Sequence, residues 1–145
     1  MAQKALGRTI NVTANAKNKW IAVKPAGGIA FVGYLTGGVG DTFTLQEAKD
    51  AAGTGAQNLA VITDYHTNTG DGSDAWVKRT QAAAATVATA AAANQNAIEI
   101  EVQGTSLDDT YTYVKLNSSG SATVTAVQVD LSPQRQAAAL PAMGV

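Results

Sequence analysis

Cysteine is absent from this 145-residue chain. That excludes disulfides, thiolate zinc sites and cysteine nucleophiles. Charge is sparse: Asp, Glu, Lys and Arg make up 14% of the residues, and the formal net charge is −1. The usual charged share is about 25%. No block of Lys or Arg is present, so the basic face that phosphate-led nucleic-acid binding requires is missing. No apolar run approaches the roughly 18 residues of a membrane span. The opening stretch, MAQKALGRTINVTANAKNKW, has no apolar core and points away from a standard secretory signal. Histidine occurs once and proline three times, and aromatic residues make up 6%.

Small residues take the place of charge. The chain holds 29 Ala, 17 Thr and 14 Gly, so Thr, Ser, Asn, Gln and Ala must cover most of the surface. An apolar fraction of 46% is too high for a disordered chain, and the length suits one domain.

Periodicity points mainly to β structure. Residues 8–14, 19–24, 29–35, 59–63, 97–102, 110–116 and 122–131 alternate or run apolar in the manner of strands. In 97–102 the alternation is strict, with Ile98, Ile100 and Val102 on one face and Glu99 and Glu101 on the other. The turn signal Asn117–Ser121 predicts a hairpin between the last two strands. Two helices are expected as well. Thr44 followed by Glu47 has the spacing of a capping box, and Gly53 makes a stop, giving a short helix at about 44–52. The alanine-rich run at about 74–94 has high intrinsic helix propensity. Its competitor is a pair of Ala/Thr strands, since Thr86, Val87 and Thr89 favour β structure. The expected architecture is a single-domain β-sandwich or jelly-roll-like antiparallel sheet over 8–131, with an N-terminal arm (1–7) and an extended C-terminal tail (132–145).

Chemistry-bearing residues are few. His66, with Asp64 and Ser73 near it in sequence, is the place to look for a hydrolase triad, but no G-x-S-x-G elbow accompanies it. Asp64, Asn68, Asp71 and Asp74 gather oxygen donors suited to calcium, without the EF-hand spacing. Gly37–Thr42 lacks the Lys of a phosphate-binding loop. Glu99 and Glu101 share a strand face, as solvated carboxylates do. Trp20, Tyr34, Phe43, Trp76, Tyr111 and Tyr113 supply either core or a stacking surface. Of these, Tyr111 and Tyr113 sit two apart on an expected strand and are interface candidates. No catalytic residue, resident metal or cofactor is expected.

The strings Gly104–Lys115, Asp130–Arg135 and Leu140-Pro141-Ala142 resemble small structural proteins of tailed bacteriophages, the head decoration or cement proteins. The likeness covers the last 70 or so residues best. It implies a non-enzymatic virion protein, assembled in the host cytoplasm and seated on the capsid surface. Its partners would be the major capsid protein and further copies of itself, as a homodimer or homotrimer, with neither nucleic acid nor membrane. Tyr111, Tyr113, Arg135, Leu140, Pro141 and Met143 are the contact residues that this reading selects. The alternatives are another phage structural role, in tail tube, fibre or head completion, and a carbohydrate- or calcium-binding β module.

Overall fold

Short extended segments make up most of the regular structure between Asn11 and Val129. The computed structural model describes residues 11–23 and 26–130. It contains β1 (Asn11–Thr13), β2 (Ile21–Ala22), β3 (Gly28–Tyr34), β4 (Thr42–Ala48), β5 (Gln57–Asn58), β6 (Ile62–Asn68), β7 (Val77–Ala84), β8 (Thr86–Ala88), β9 (Ala97–Gln103), β10 (Tyr113–Ser118) and β11 (Thr123–Val129). These strands form two antiparallel sheets. One has six strands in the order β1-β11-β3-β9-β6-β7; the other runs β2-β10-β4-β5, with β8 also paired to β4.

The sheets face each other across one core. Phe31, Ile98, Ile100 and Val124 come from the first sheet, and Phe43, Leu45, Val114 and Leu116 from the second; all are at most 2% exposed. Gly33 marks the closest approach, since a Cβ there would lie 2.6 Å from the Phe43 ring. The mainly β, sandwich-like domain expected from the sequence is present.

Neither expected helix forms. Residues 44–52 belong to β4 and the turn after it. Phe43, Leu45 and Glu47 point inward while Thr42, Thr44 and Gln46 are partly exposed. Glu47 is therefore a buried inward residue and not a helix-capping partner of Thr44. Gly53, read as a helix stop, sits at φ +85° in a turn where Asp50 Oδ1 accepts from the amides of Ala52 and Thr54. The alanine-rich 74–94 segment is two strands in different sheets. β7 pairs with β6, Ala85 crosses the sandwich, and β8 pairs with β4. A helix here would have needed a continuous apolar stripe. The segment has one anchoring aliphatic, Val87, and the sandwich buries it against Phe43 as the cross-strand partner. Helix propensity is worth less than 1 kcal/mol per residue, which pairing and burial outweigh. The Ala/Thr strand alternative was the right one.

The expected terminal hairpin is also absent. β10 pairs with β2 and β4, whereas β11 pairs with β1 and β3 in the opposite sheet. The turn 117–121 is a crossing between sheets. Its anchor is Asp41, 8% exposed. Asp41 Oδ1 accepts from the amides of Thr42 (2.6 Å) and Gly120 (2.8 Å) and from the Ser119 hydroxyl (3.0 Å); Oδ2 accepts from the Ser118 hydroxyl at 2.5 Å.

Candidate functional site

The outer face of the six-stranded sheet brings together residues far apart in sequence. Directly opposed partners lie on one face of a sheet. Lys78 on β7, His66 on β6, Glu99 on β9, Val32 on β3 and Thr125 on β11 are linked in this way, each to the next. The strand expected over 59–63 is displaced along the chain, and β6 runs on through His66 to Asn68. A register shift between Ile62 and Asp64 lets Ile62 stay buried while His66 faces outward.

His66 Nδ1 lies 2.9 Å from Glu99 Oε2. A carboxylate only accepts, so in this contact Nδ1 carries the proton and donates. The Glu99 side chain is 17% exposed, against 38% for His66. Burial pushes the Glu99 carboxyl above its usual value. The His66 hydrogen bond opposes that shift, and the charges of Glu101 and Asp64 add to it. Beside the pair, Lys78 Nζ reaches Asp64 Oδ2 at 2.7 Å, and this bond and charge hold the Asp64 carboxyl below its usual value. Trp76, just before β7, is 45% exposed. His66, Trp76 and Glu99 together line an open recess of about 310 Å³.

A carboxylate orienting an imidazole is two-thirds of a hydrolytic triad. Among the described residues, no hydroxyl-bearing side chain lines the recess, so no third group is in place. The partners suggested by sequence proximity are elsewhere: Asp64 is with Lys78, and the Ser73 hydroxyl donates to Asp71 Oδ1 at 2.5 Å. Proximity in sequence was the wrong guide to the acid partner of His66. The outward parity of Glu99 was legible, whereas the register placing it opposite His66 was not.

Asp64 apart, the oxygen-rich 64–74 stretch satisfies its carboxylates and amide oxygen from within. Asp74 Oδ1 accepts from the Thr69 amide at 3.0 Å, Asp71 Oδ1 from the Ser73 amide at 2.9 Å, and Asn68 Oδ1 from the Gly70 amide at 2.8 Å. Hydrogen bonds from Ser73 and Thr69 hold the Asp71 carboxyl down at about 2. Among the described residues, no three His, Asp or Glu side chains converge as a metal site.

Tyr111 and Tyr113 part company. Tyr113 opens β10, between Ala22 and Ala48. Tyr111 precedes the strand, donates its hydroxyl proton to the Gly55 carbonyl at 3.0 Å, and has Lys49 Nζ 5.5 Å from its ring centre. It also lines an apolar pocket of about 270 Å³ with Val23, Gly104 and Leu107 at the end of the sandwich. Arg135, Leu140, Pro141 and Met143 lie outside the described residues. The Gly37–Thr42 turn is built into the fold: a Cβ on Gly40 would sit 2.5 Å from the Thr89 carbonyl oxygen. No family model matches the chain, and neither a curated protein nor a solved structure matches it.

Proposed function

We propose that the protein is a virion structural subunit: a cement or decoration protein that binds the outside of a tailed-phage head and bridges capsomers of the major capsid protein. One observation carries the reading. β1 and β11 are antiparallel neighbours with Asn11 directly opposite Gln128. The chain therefore enters and leaves the described sandwich at one corner of one sheet, with ten residues before Asn11 and fifteen after Asp130. Two terminal segments issuing from one point suit attachment to a neighbouring subunit.

The adjoining surface supports the same reading. Beside that corner, Val12 on β1 is 48% exposed. Val12, Val127 and Ala30 form one cross-strand row on the outer face. An exposed apolar row of this kind suits contact with other protein. A standard interface buries about 1,200–2,000 Å² in total, so sheet face and terminal segments would contribute together. Repetition over a rigid lattice then multiplies a modest single-site affinity. The likeness of the 104–135 strings to phage cement proteins supplies the identity of the lattice.

The test is binding to heads that lack this subunit. The full chain binds and raises the temperature at which heads release DNA. A chain lacking 133–145, and one lacking 1–10 as well, bind progressively less. Full-length protein that leaves heads untouched, or truncated protein that binds them equally well, overturns the proposal.

A further inference from the structure

Three rings in this molecule are partly exposed beside charged groups, and they are treated differently. Trp20 carries Lys115 Nζ at 4.3 Å from its ring centre, and Tyr111 carries Lys49 at 5.5 Å. Both cations sit in the geometry of a cation–π contact. Trp76 has no such cation among the described residues, although its ring borders the recess shared with Glu99 and His66. Glu99 has one oxygen engaged by His66 and no described partner on the other. The charged groups around it are Asp64, Glu101 and Lys78. Lys78 is committed to Asp64, so the recess has a net negative surround.

We propose that this recess binds the side chain of an arginine or lysine presented by a partner protein, the cation lying on the Trp76 ring and pairing with the free oxygen of Glu99. The recess volume of about 310 Å³ accommodates one such side chain. A cation there replaces the water that Glu99 has lost through burial, and the pairing is a charge-assisted hydrogen bond. His66 acts as the positioning residue: its Nδ1–H fixes one carboxylate oxygen and aims the other outward. Arginine is favoured over lysine, because its planar group both stacks on an aromatic face and forms a directed bond to a carboxylate. The site is independent of the virion reading, since it uses neither terminal segment and specifies only the chemistry of the contact.

The test uses the isolated full chain and no particles. Blocked arginine (Nα-acetyl-argininamide) is titrated while the Trp76 indole N–H is followed by NMR, its signal identified with W76F. The neutral isostere, Nα-acetyl-citrullinamide, and a methyl pyranoside are titrated in parallel. Saturable millimolar binding of the arginine compound is expected. Binding should be about tenfold weaker in E99Q, a loss of about 1.4 kcal/mol, and weaker in higher salt. H66A is expected to weaken binding less than E99Q. Unchanged melting of E99Q establishes that the fold is intact. The proposal is overturned if the arginine compound does not bind, if E99Q binds it equally, or if the citrulline compound matches it. A pyranoside that saturates in its place would make the recess a sugar site and overturn it too.

Discussion

The Ser118 hydroxyl donates to Asp41 Oδ2 at 2.5 Å across a sequence separation of 77 residues. This bond joins the start of β4 to the point where the chain leaves one sheet for the other. Around it the same carboxylate takes the amides of Thr42 and Gly120 and the Ser119 hydroxyl. The Asp41 backbone is held in turn by Thr89, whose amide donates to its carbonyl at 2.9 Å and whose hydroxyl accepts from its amide at 2.8 Å. One side chain thus ties the ends of β4, β8, β10 and β11.

Asp41 should make folding acid-sensitive. Burial pushes its carboxyl up, but the hydrogen bonds from Ser118, Gly120, Thr42 and Ser119 together outweigh burial and hold it below its usual value. A carboxyl depressed in the folded state contributes stability that is fully present above its unfolded pKa. That contribution is lost as pH falls through the folded value. D41A should cost about 3 kcal/mol at neutral pH, because it strands a nearly buried hydroxyl and amide. D41N should cost less and flatten the pH dependence between neutral and strongly acid solution. Urea unfolding at a series of pH values measures both; a D41N curve parallel to wild type would remove Asp41 as the source.

Gln57 joins two acids. Its Nε2 donates to Glu47 Oε1 at 2.7 Å and to Asp108 Oδ2 at 2.8 Å, while Glu47 Oε2 accepts from the Asp108 amide at 3.0 Å. Glu47 is fully buried, in the inward row with Val114. Q57E removes both donors and places a third carboxylate among them. It should destabilise by about 3 kcal/mol or more at neutral pH, the scale of an uncompensated buried charge. Q57A should cost less, about 1–3 kcal/mol, for one unsatisfied acceptor. Equal costs for the two variants would mean that Gln57 fills space and neutralises nothing.

Gly33 sets the spacing between the sheets. It faces inward from β3, and an added Cβ would meet Phe43 Cε1 at 2.6 Å and Ile98 Cγ2 at 3.0 Å. G33A should destabilise by about 1–3 kcal/mol, the usual cost of overpacking. The double variant G33A/F43L should recover part of that loss by removing the ring edge. If F43L merely adds its own cost, the clash is relieved by backbone movement elsewhere.

The sequence exposed its strands where one face was aliphatic and the other polar. In β9, Ile98, Ile100 and Val102 against Glu99 and Glu101 left one reading open, and that reading is correct. It misled where an inward position was polar or small. Glu47 broke the apolar alternation of β4 and imitated a cap, because the partners that make its burial tolerable, Gln57 and the Asp108 amide, come from elsewhere in the chain. Around β7 and β8, the alanine runs 82–85 and 90–93 blurred the period, and helix propensity filled the gap. Pairing between strands is a long-range property, so the separation of β10 from β11 was hidden behind a plausible hairpin turn. The same reason concealed the Glu99–His66 contact, which joins residues 33 apart.

Gln128 offers a gain in stability. It is fully buried on the inward face of β11, in line with Val124 and Ala126, and among the described residues neither its amide nitrogen nor its amide oxygen has a hydrogen-bond partner. A buried polar group without a partner costs about 1–3 kcal/mol. Methionine has nearly the same length and flexibility and no polar atom that needs a partner, so it can follow the same path through the core. Q128M should therefore stabilise by about 1–2 kcal/mol, which in a chain of this size raises the melting temperature by about 3–6 °C. Q128A, which removes the polar atoms but leaves a void, should gain less or lose stability through cavity formation. Thermal unfolding of the three proteins separates the two contributions. A Q128M variant that melts below wild type would mean that the amide does find a partner in solution, and the corner where β1 meets β11 would be the place to look for it.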